Sequence, residues 1–313
     1  MTTDHEQDAP HGGHGHGIAP GADQRYLLRA LVLLVTYLVI EVVVALVTGS
    51  LALLSDGGHL LTDAGAIGVA LWAMRWAARP ARGAWTYGWR RVEILSALGN
   101  GVTLMVLAAV IAVEAIRRLV AGPPSVDAGP VLVLAVIGIV VNLALAWLLA
   151  RAHRSSLNVE GAYQHVLTDL YGFIGTAIAA VVILATGWTR ADAVASLVVV
   201  ALMAHAGWGL LRESGRVLLE AAPADTSLGD IRRHLLEVGH VHDVHDLHVW
   251  TVTSDLPILS AHLVVDDACF NDGHAPQILD EVQECLGGHF DVEHSTFQLE
   301  PRSHAAHEPG AHG

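Results

Sequence analysis

Six apolar stretches, near residues 27–47, 51–76, 93–119, 130–150, 160–186 and 191–211, leave this chain few folds to choose from. A hydrocarbon core about 30 Å thick is crossed by roughly 20 helical residues, and each stretch meets that length. Inside such a core the backbone has no water to bond, so a lone segment satisfies its N–H and C=O groups as a helix. Composition agrees, because 53% of the 313 residues are hydrophobic, above the level of an ordinary soluble domain. An α-helical membrane protein with six transmembrane helices is expected.

The basic residues, all of them Arg, are distributed unevenly between the spans. Arg25 and Arg29 precede the first span, and Arg75, Arg79, Arg82, Arg90 and Arg91 surround the loop after the second. Arg151 and Arg154 follow the fourth, and Arg212 and Arg216 the sixth. The other side has Arg117, Arg118 and Arg190. This asymmetry predicts both termini in the cytoplasm, with Arg117 and Arg118 as the discordant pair. A formal charge of -14, from 17 basic and 31 acidic residues, argues against a nucleic-acid partner. Cys269 and Cys285 form no CxxC pair or disulfide framework and are expected as thiols in a reducing compartment. No secretory signal peptide is expected, since a basic n-region and apolar h-region are missing from the start of the chain.

Two spans carry ionisable residues in a repeated pattern. The second holds SDGGHLLTDAG and the fifth AYQHVLTDLYG, placing His59 with Asp63 and His165 with Asp169 at i, i+4. On a helix each pair shares one face, about 6 Å apart along the axis. Two such faces turned together offer two imidazole nitrogens and two carboxylates, a tetrahedral set suited to Zn²⁺. A single His bonded to a neighbouring helix, or a single interfacial Asp, would be unremarkable structure. Repeating HLLTD as HVLTD is not, because each charged group at mid-membrane costs a few kcal/mol. Asp56 reads as a mouth or capping residue, while Glu41, Asn100, Glu114 and Asn142 line the same cavity or join helices.

After about residue 220 the chain turns polar. A helix starting around Thr226 to Asp230 and running to Val238, strands at 245–253 and 258–265, a helix at 275–286 and a strand at 292–300 make a compact α+β domain. Residues 1–24 and 302–313 are expected to be disordered and contain His. The chain has 20 His, and His is the commonest side-chain ligand of zinc. The domain offers His242, His245, His248, His262, His274 and His294 with Glu300. Alternation turns His262 away from a core face made by Ala261, Leu263 and Val265, and Glu300 away from Phe297 and Leu299. In the first strand alternation favours His248 over His245.

HLLTD, HVLTD, YGWRRVEILSALGN at the start of the third span and HDLHVWTVTS together resemble the cation diffusion facilitator family in its zinc-transporting branch, across residues 25–301. The resemblance implies a bacterial zinc efflux transporter in the plasma (inner) membrane. It implies a homodimer in membrane lipid, each protomer having a six-helix domain at 25–215 and a cytoplasmic ferredoxin-like domain (α-β-β-α-β) at 216–301. Zn²⁺ would leave in exchange for protons through a transport site of His59, Asp63, His165 and Asp169. His at 59 favours zinc over manganese or iron and disfavours cadmium. It also implies a regulatory cytoplasmic metal site at His245, His262 and Glu300, with His274 a weaker match and His248 the rival to His245. A third metal site held by some members is expected to be missing, because ARPARGAWTYGWRR has no Asp, Glu or His. The loop RAHRSSLNVEG is short and holds only His153, and the N-terminal HGGHGHG either gathers ions or serves as a flexible spacer.

The residues support exchange in their own right, because proton and zinc compete for the same imidazole nitrogen. No GxxxxGK[ST] or DKTG-like phosphorylation motif points to ATP as a driver. Two other readings are an intramembrane zinc-dependent hydrolase, for which the general base of an HExxH motif is lacking, and a metal-sensing membrane protein.

Overall fold

The computed structural model describes residues 21–48, 51–121, 128–152, 156–254, 256–290, 292 and 294–305. Residues 1–20 with the HGGHGHG stretch, His153, and the tail from 306 lie outside these. Six long helices come first: α1 (Gly21–Thr48), α2 (Leu51–Ala77), α3 (Arg91–Ala121), α4 (Ala128–Leu149), α5 (Leu157–Thr186) and α6 (Ala191–Leu218). Five are long and apolar enough to cross a membrane. The remaining one, α2, has 27 residues, enough length to do the same, and it carries Asp56, His59 and Asp63 in its first half. Val39, Ile40, Val106, Val110, Val140, Ile178 and Leu184 are exposed on these helices. A helical belt of bare aliphatic side chains has lipid as its solvent.

Two packed groups build the bundle. Leu27 and Leu34 of α1, Leu60 and Ile67 of α2, Leu145 and Leu149 of α4, and Val159 and Val166 of α5 form one buried cluster. Leu104 and Ala108 of α3 with Met203 and Leu210 of α6 form another. The α3–α6 crossing is close because glycines meet there: a Cβ on Gly101 would lie 3.2 Å from the Gly207 carbonyl oxygen, and one on Gly207 3.2 Å from that of Gly101. Small residues bring membrane helices backbone to backbone in this way. Between α4 and α5 the Phe173 ring occupies the space over Gly138, 2.4 Å from where a Cβ would stand.

The helices run longer than the apolar stretches predict, because they continue into polar flanks. Helix α1 already begins at Gly21, and α6 ends at Leu218, past the expected domain limit at 215, with Arg216 donating to the Ala222 carbonyl oxygen at 2.6 Å. Ser156 caps α5 by accepting from the Val159 N–H, and Gly187, at φ 72°, closes its other end. Arg118, one of the discordant pair, lies 2.9 Å from Glu114 and 3.3 Å from Asp192. Its charge is thus offset locally by two carboxylates.

The C-terminal domain follows as α7 (Leu228–Glu237), β1 (Val241–Thr251), β2 (Pro257–Val265), α8 (Cys269–Asp272), α9 (Ala275–His289), β3 (His294–Pro301) and α10 (Arg302–Ala305). The sheet order is β1-β2-β3, with β1 antiparallel and β3 parallel to β2. Ile231 and Leu235 of α7 and Ile278, Val282 and Leu286 of α9 pack with Val244, Leu259, Leu263 and Val265 of the sheet. This covers one sheet face and leaves the other for polar groups. At the junction with the membrane domain, the Leu157 N–H of α5 donates to Ser254 Oγ on the β1–β2 turn at 3.1 Å, and Arg91 pairs with Glu220 at 2.8 Å.

Candidate functional site

Helices α2 and α5 lie side by side, joined by Asn158, whose buried Nδ2 donates to the Ala70 carbonyl oxygen at 2.8 Å. Below this tie, His165 Nε2 of α5 stands 2.8 Å from Asp63 Oδ1 of α2 and 3.8 Å from Asp169 Oδ2 of its own helix. His165 is 3% exposed and both carboxylates are half-buried. One donor atom from each of the three lies within 4.8 Å of the others, close enough for one cation after small adjustments of side-chain torsions. His59 sits on α2, one turn before Asp63, but its side chain lies outside the described residues, as does that of Asp56.

The shared wording of the two motifs extends to hydroxyl groups. Thr62 donates back to the Gly58 carbonyl oxygen at 3.1 Å and Thr168 to that of Gln164 at 2.8 Å, so each Thr serves its own helix while the Asp beside it serves the site. Asn100, buried on α3, stands next to Gly161 of α5, where an added Cβ would lie 3.4 Å from its Nδ2. Asn142 donates to the Gly138 carbonyl oxygen at 3.1 Å. Asn158 is the residue that sequence reasoning passed over. A single amide near the start of an apolar helix was its only signal.

The second centre lies on the polar face of the C-terminal sheet. His262 Nδ1 is 2.8 Å from Glu300 Oε1, and His245 Nε2 is 3.2 Å from Glu300 Oε2. The two rings stand 5.1 Å apart at 71°. Glu300 is 1% exposed and also accepts from Gln298 Nε2 at 2.7 Å. These three side chains again place donor atoms within 4.8 Å of one another.

Simple alternation favoured His248, and the strand register explains why it misled. His245 pairs with His262 and His248 with Ser260, so β1 spends three residues where β2 spends two. The extra residue is a β-bulge at Asp246 and Leu247, with Asp246 at φ 46°. A bulge resets the period of two, so His245 and His248 point to the same face. His245 is buried beside Glu300 and His262, while His248 is exposed, 4.0 Å from Asp246.

His274 is not brought to the trio. It precedes α9, lies 2.8 Å from Asp272, and its ring faces that of His240 at 5.7 Å. His242 and His240 in turn lie 2.6 and 3.2 Å from the two oxygens of Asp266. The His242 and then the His240 hydrogen bond hold the Asp266 carboxyl below the usual carboxylate range, and His274 does the same to Asp272. His274 is thus drawn into a surface network of acids and imidazoles.

The chain matches two families in succession: the cation efflux transmembrane domain over residues 27–219 and the cation efflux protein cytoplasmic domain over 223–302. It is 37% identical over 294 residues to the cadmium, cobalt and zinc/H(+)-K(+) antiporter of Bacillus subtilis, covering 93% of each chain. It is 38% identical over 288 residues to the metal cation efflux system protein CzcD of Cupriavidus metallidurans, covering 92% of this chain and 90% of that one. To the zinc transporter ZitB of Escherichia coli it is 37% identical over 290 residues, with the same two coverages. With both family domains spanning nearly all of its described length, this chain belongs to the cation diffusion facilitator, or cation efflux, family.

Proposed function

We propose that the chain is a secondary active transporter that exports Zn²⁺ from the cytoplasm in exchange for protons. The observation that carries this reading is the meeting of Asp63 with His165 and Asp169 between two helices of the membrane bundle. His59 is the fourth ligand, completing a set of two imidazoles and two carboxylates.

The exchange follows from the chemistry of one nitrogen. A proton on His165 Nε2 is held by Asp63 at hydrogen-bonding distance, and zinc needs that nitrogen and those oxygens deprotonated. Loading from the cytoplasm therefore releases protons, and protons from the far side displace the metal. The relatives' names describe efflux and antiport of zinc, and in the Bacillus protein of cadmium and cobalt too. Neutral imidazole with carboxylate suits zinc, and cobalt behind it. Those relatives are transporters, so the hydrolase reading of the intramembrane cluster is set aside and the chain is not an enzyme.

We place the trio of His245, His262 and Glu300 as a second, regulatory zinc site in a cytoplasmic domain through which two copies pair. The domain at residues 216–301 then senses the ion that the domain at 25–215 removes. A bacterial plasma membrane with both termini inside fits the Arg distribution, and the carboxylates around Arg118 account for its exception.

The test is zinc flux into vesicles holding the purified chain, with and without a proton gradient. Asp63→Ala and Asp169→Ala are expected to abolish it. Undiminished flux in both variants would reject the transport site, and flux indifferent to the gradient would reject proton exchange.

A further inference from the structure

The loop between α2 and α3, residues 78–90, holds no metal-ligating acid or His, yet it is built with care. Four tryptophans form a chain of ring contacts: Trp72 to Trp76 at 5.3 Å, Trp76 to Trp89 at 5.3 Å edge-on, and Trp89 to Trp85 stacked at 4.3 Å. The Arg79 guanidinium lies 3.7 Å over the Trp76 ring. Gly88, at φ 68°, closes the loop so tightly that a Cβ there would come 2.9 Å from the Arg79 carbonyl oxygen.

On this scaffold Arg75, Arg79, Arg82 and Arg90 are all exposed. Among the described residues none of the four has a carboxylate partner, although the chain has 31 acids and the adjoining Arg91 is paired with Glu220. The rings of Trp72 and Trp85 are more than half exposed. Topology alone requires arginine near this end of the bundle, but it does not require an ordered aromatic platform that fixes a guanidinium in place.

We propose that this loop binds the headgroups of anionic phospholipid in the leaflet facing the C-terminal domain. Guanidinium matches phosphate oxygens with paired hydrogen bonds. Exposed indole rings at the end of an apolar helix sit at the boundary of headgroup and acyl chain, where a free phosphate ion has no use for them. Arg151 stacked on Trp147 at 3.7 Å, at the end of α4, repeats the device.

Native mass spectrometry of the full-length chain tests this, using phosphatidylglycerol against phosphatidylcholine of the same acyl chains. The native chain is expected to retain phosphatidylglycerol by about tenfold or more over phosphatidylcholine. The combined variant R75Q, R79Q, R82Q and R90Q should fall to parity, while R117Q with R190Q at the other end keeps the preference. A second measurement needs no variant: brominated phosphatidylglycerol should quench tryptophan fluorescence more than brominated phosphatidylcholine. Equal retention or quenching by the two lipids with the native chain, or an unchanged preference in the fourfold variant, overturns the proposal. Displacement of the lipid by millimolar inorganic phosphate would show an ion site and overturn it too.

Discussion

The backbone N–H of Leu157, the first residue of α5, is satisfied by the hydroxyl of Ser254, nearly a hundred residues later on the β1–β2 turn. Opening N–H groups of a helix have no partner within it, and here one is completed by another domain. His165 lies eight residues further along α5, so the helix bearing the intramembrane imidazole is tied to the sheet bearing the second His cluster.

Removing that hydroxyl should loosen the tie. Ser254→Ala is expected to weaken docking of the turn by about 1 kcal/mol and to raise hydrogen exchange across the first turn of α5. Ser254→Thr should restore protection. Exchange measured by mass spectrometry on peptides covering residues 156–166 reads both, and unchanged exchange in Ser254→Ala would show the contact to be incidental.

The bulge makes a sharp distinction between two histidines. His245→Ala is expected to weaken zinc binding at the cytoplasmic trio by about ten- to a hundredfold, as loss of one ligand or its close support commonly does, whereas His248→Ala changes it little. Asp246→Gly should keep the bulge. Asp246→Val, a branched residue at positive φ, should cost about 1–2 kcal/mol and weaken zinc with it. Titration calorimetry on an Asp63→Ala background, which removes an intramembrane ligand, separates this site from the intramembrane one.

Acid should loosen the C-terminal domain in a narrow range. Asp230 is held low by the Ser227 hydroxyl and then Arg233, Asp266 by His242 and then His240, and Asp272 by His274. A carboxyl lowered by folding binds fewer protons folded than unfolded, so its contribution is complete above the ordinary value of about 3.9 and fades as pH falls through the lowered one. Thermal unfolding of this domain should be flat on the carboxylates' account from pH 7 to 5 and should fall below about pH 4. A variant with Asp266→Asn and Asp272→Asn should show a shallower fall. Equal slopes would refute the assignment.

Packing between α4 and α5 depends on a missing methyl. Gly138→Ala pushes a Cβ against the Phe173 ring and should destabilise the bundle by about 1–3 kcal/mol, read as a lower melting temperature in detergent. Adding Phe173→Leu should recover part of the loss, and a melting temperature equal to that of the native chain in Gly138→Ala would contradict the packing described.

The sequence was most readable where residue type and period coincided. Six apolar runs announced six helices, and the repeated His-x-x-x-Asp announced which two would face each other. Asp63, His165 and Asp169 do converge: i, i+4 spacing sets His165 and Asp169 on one face of α5, and the packing of α2 against α5 brings Asp63 to them. Strand patterns are less forgiving. One inserted residue at Asp246 moved His245 and His248 onto a common face, and no local composition marks such an insertion. His274 escaped for another reason: nearby Asp272 and His240 compete for it, and competition among surface partners is settled by loop geometry. The Leu157–Ser254 tie was invisible because a backbone N–H carries no sequence signature.

On the proposed transport reading, the pairing of Asp63 and Asp169 around one imidazole carries an electrical consequence. Two carboxylates bring two negative charges, and either one divalent cation or two protons cancels them. Both loaded forms of the site are then neutral, so neither has to drag net charge through a medium where each uncompensated charge costs several kcal/mol. One zinc out for two protons in would leave the membrane potential with nothing to push on: a cell could keep clearing zinc while its potential collapsed, provided a pH difference remained.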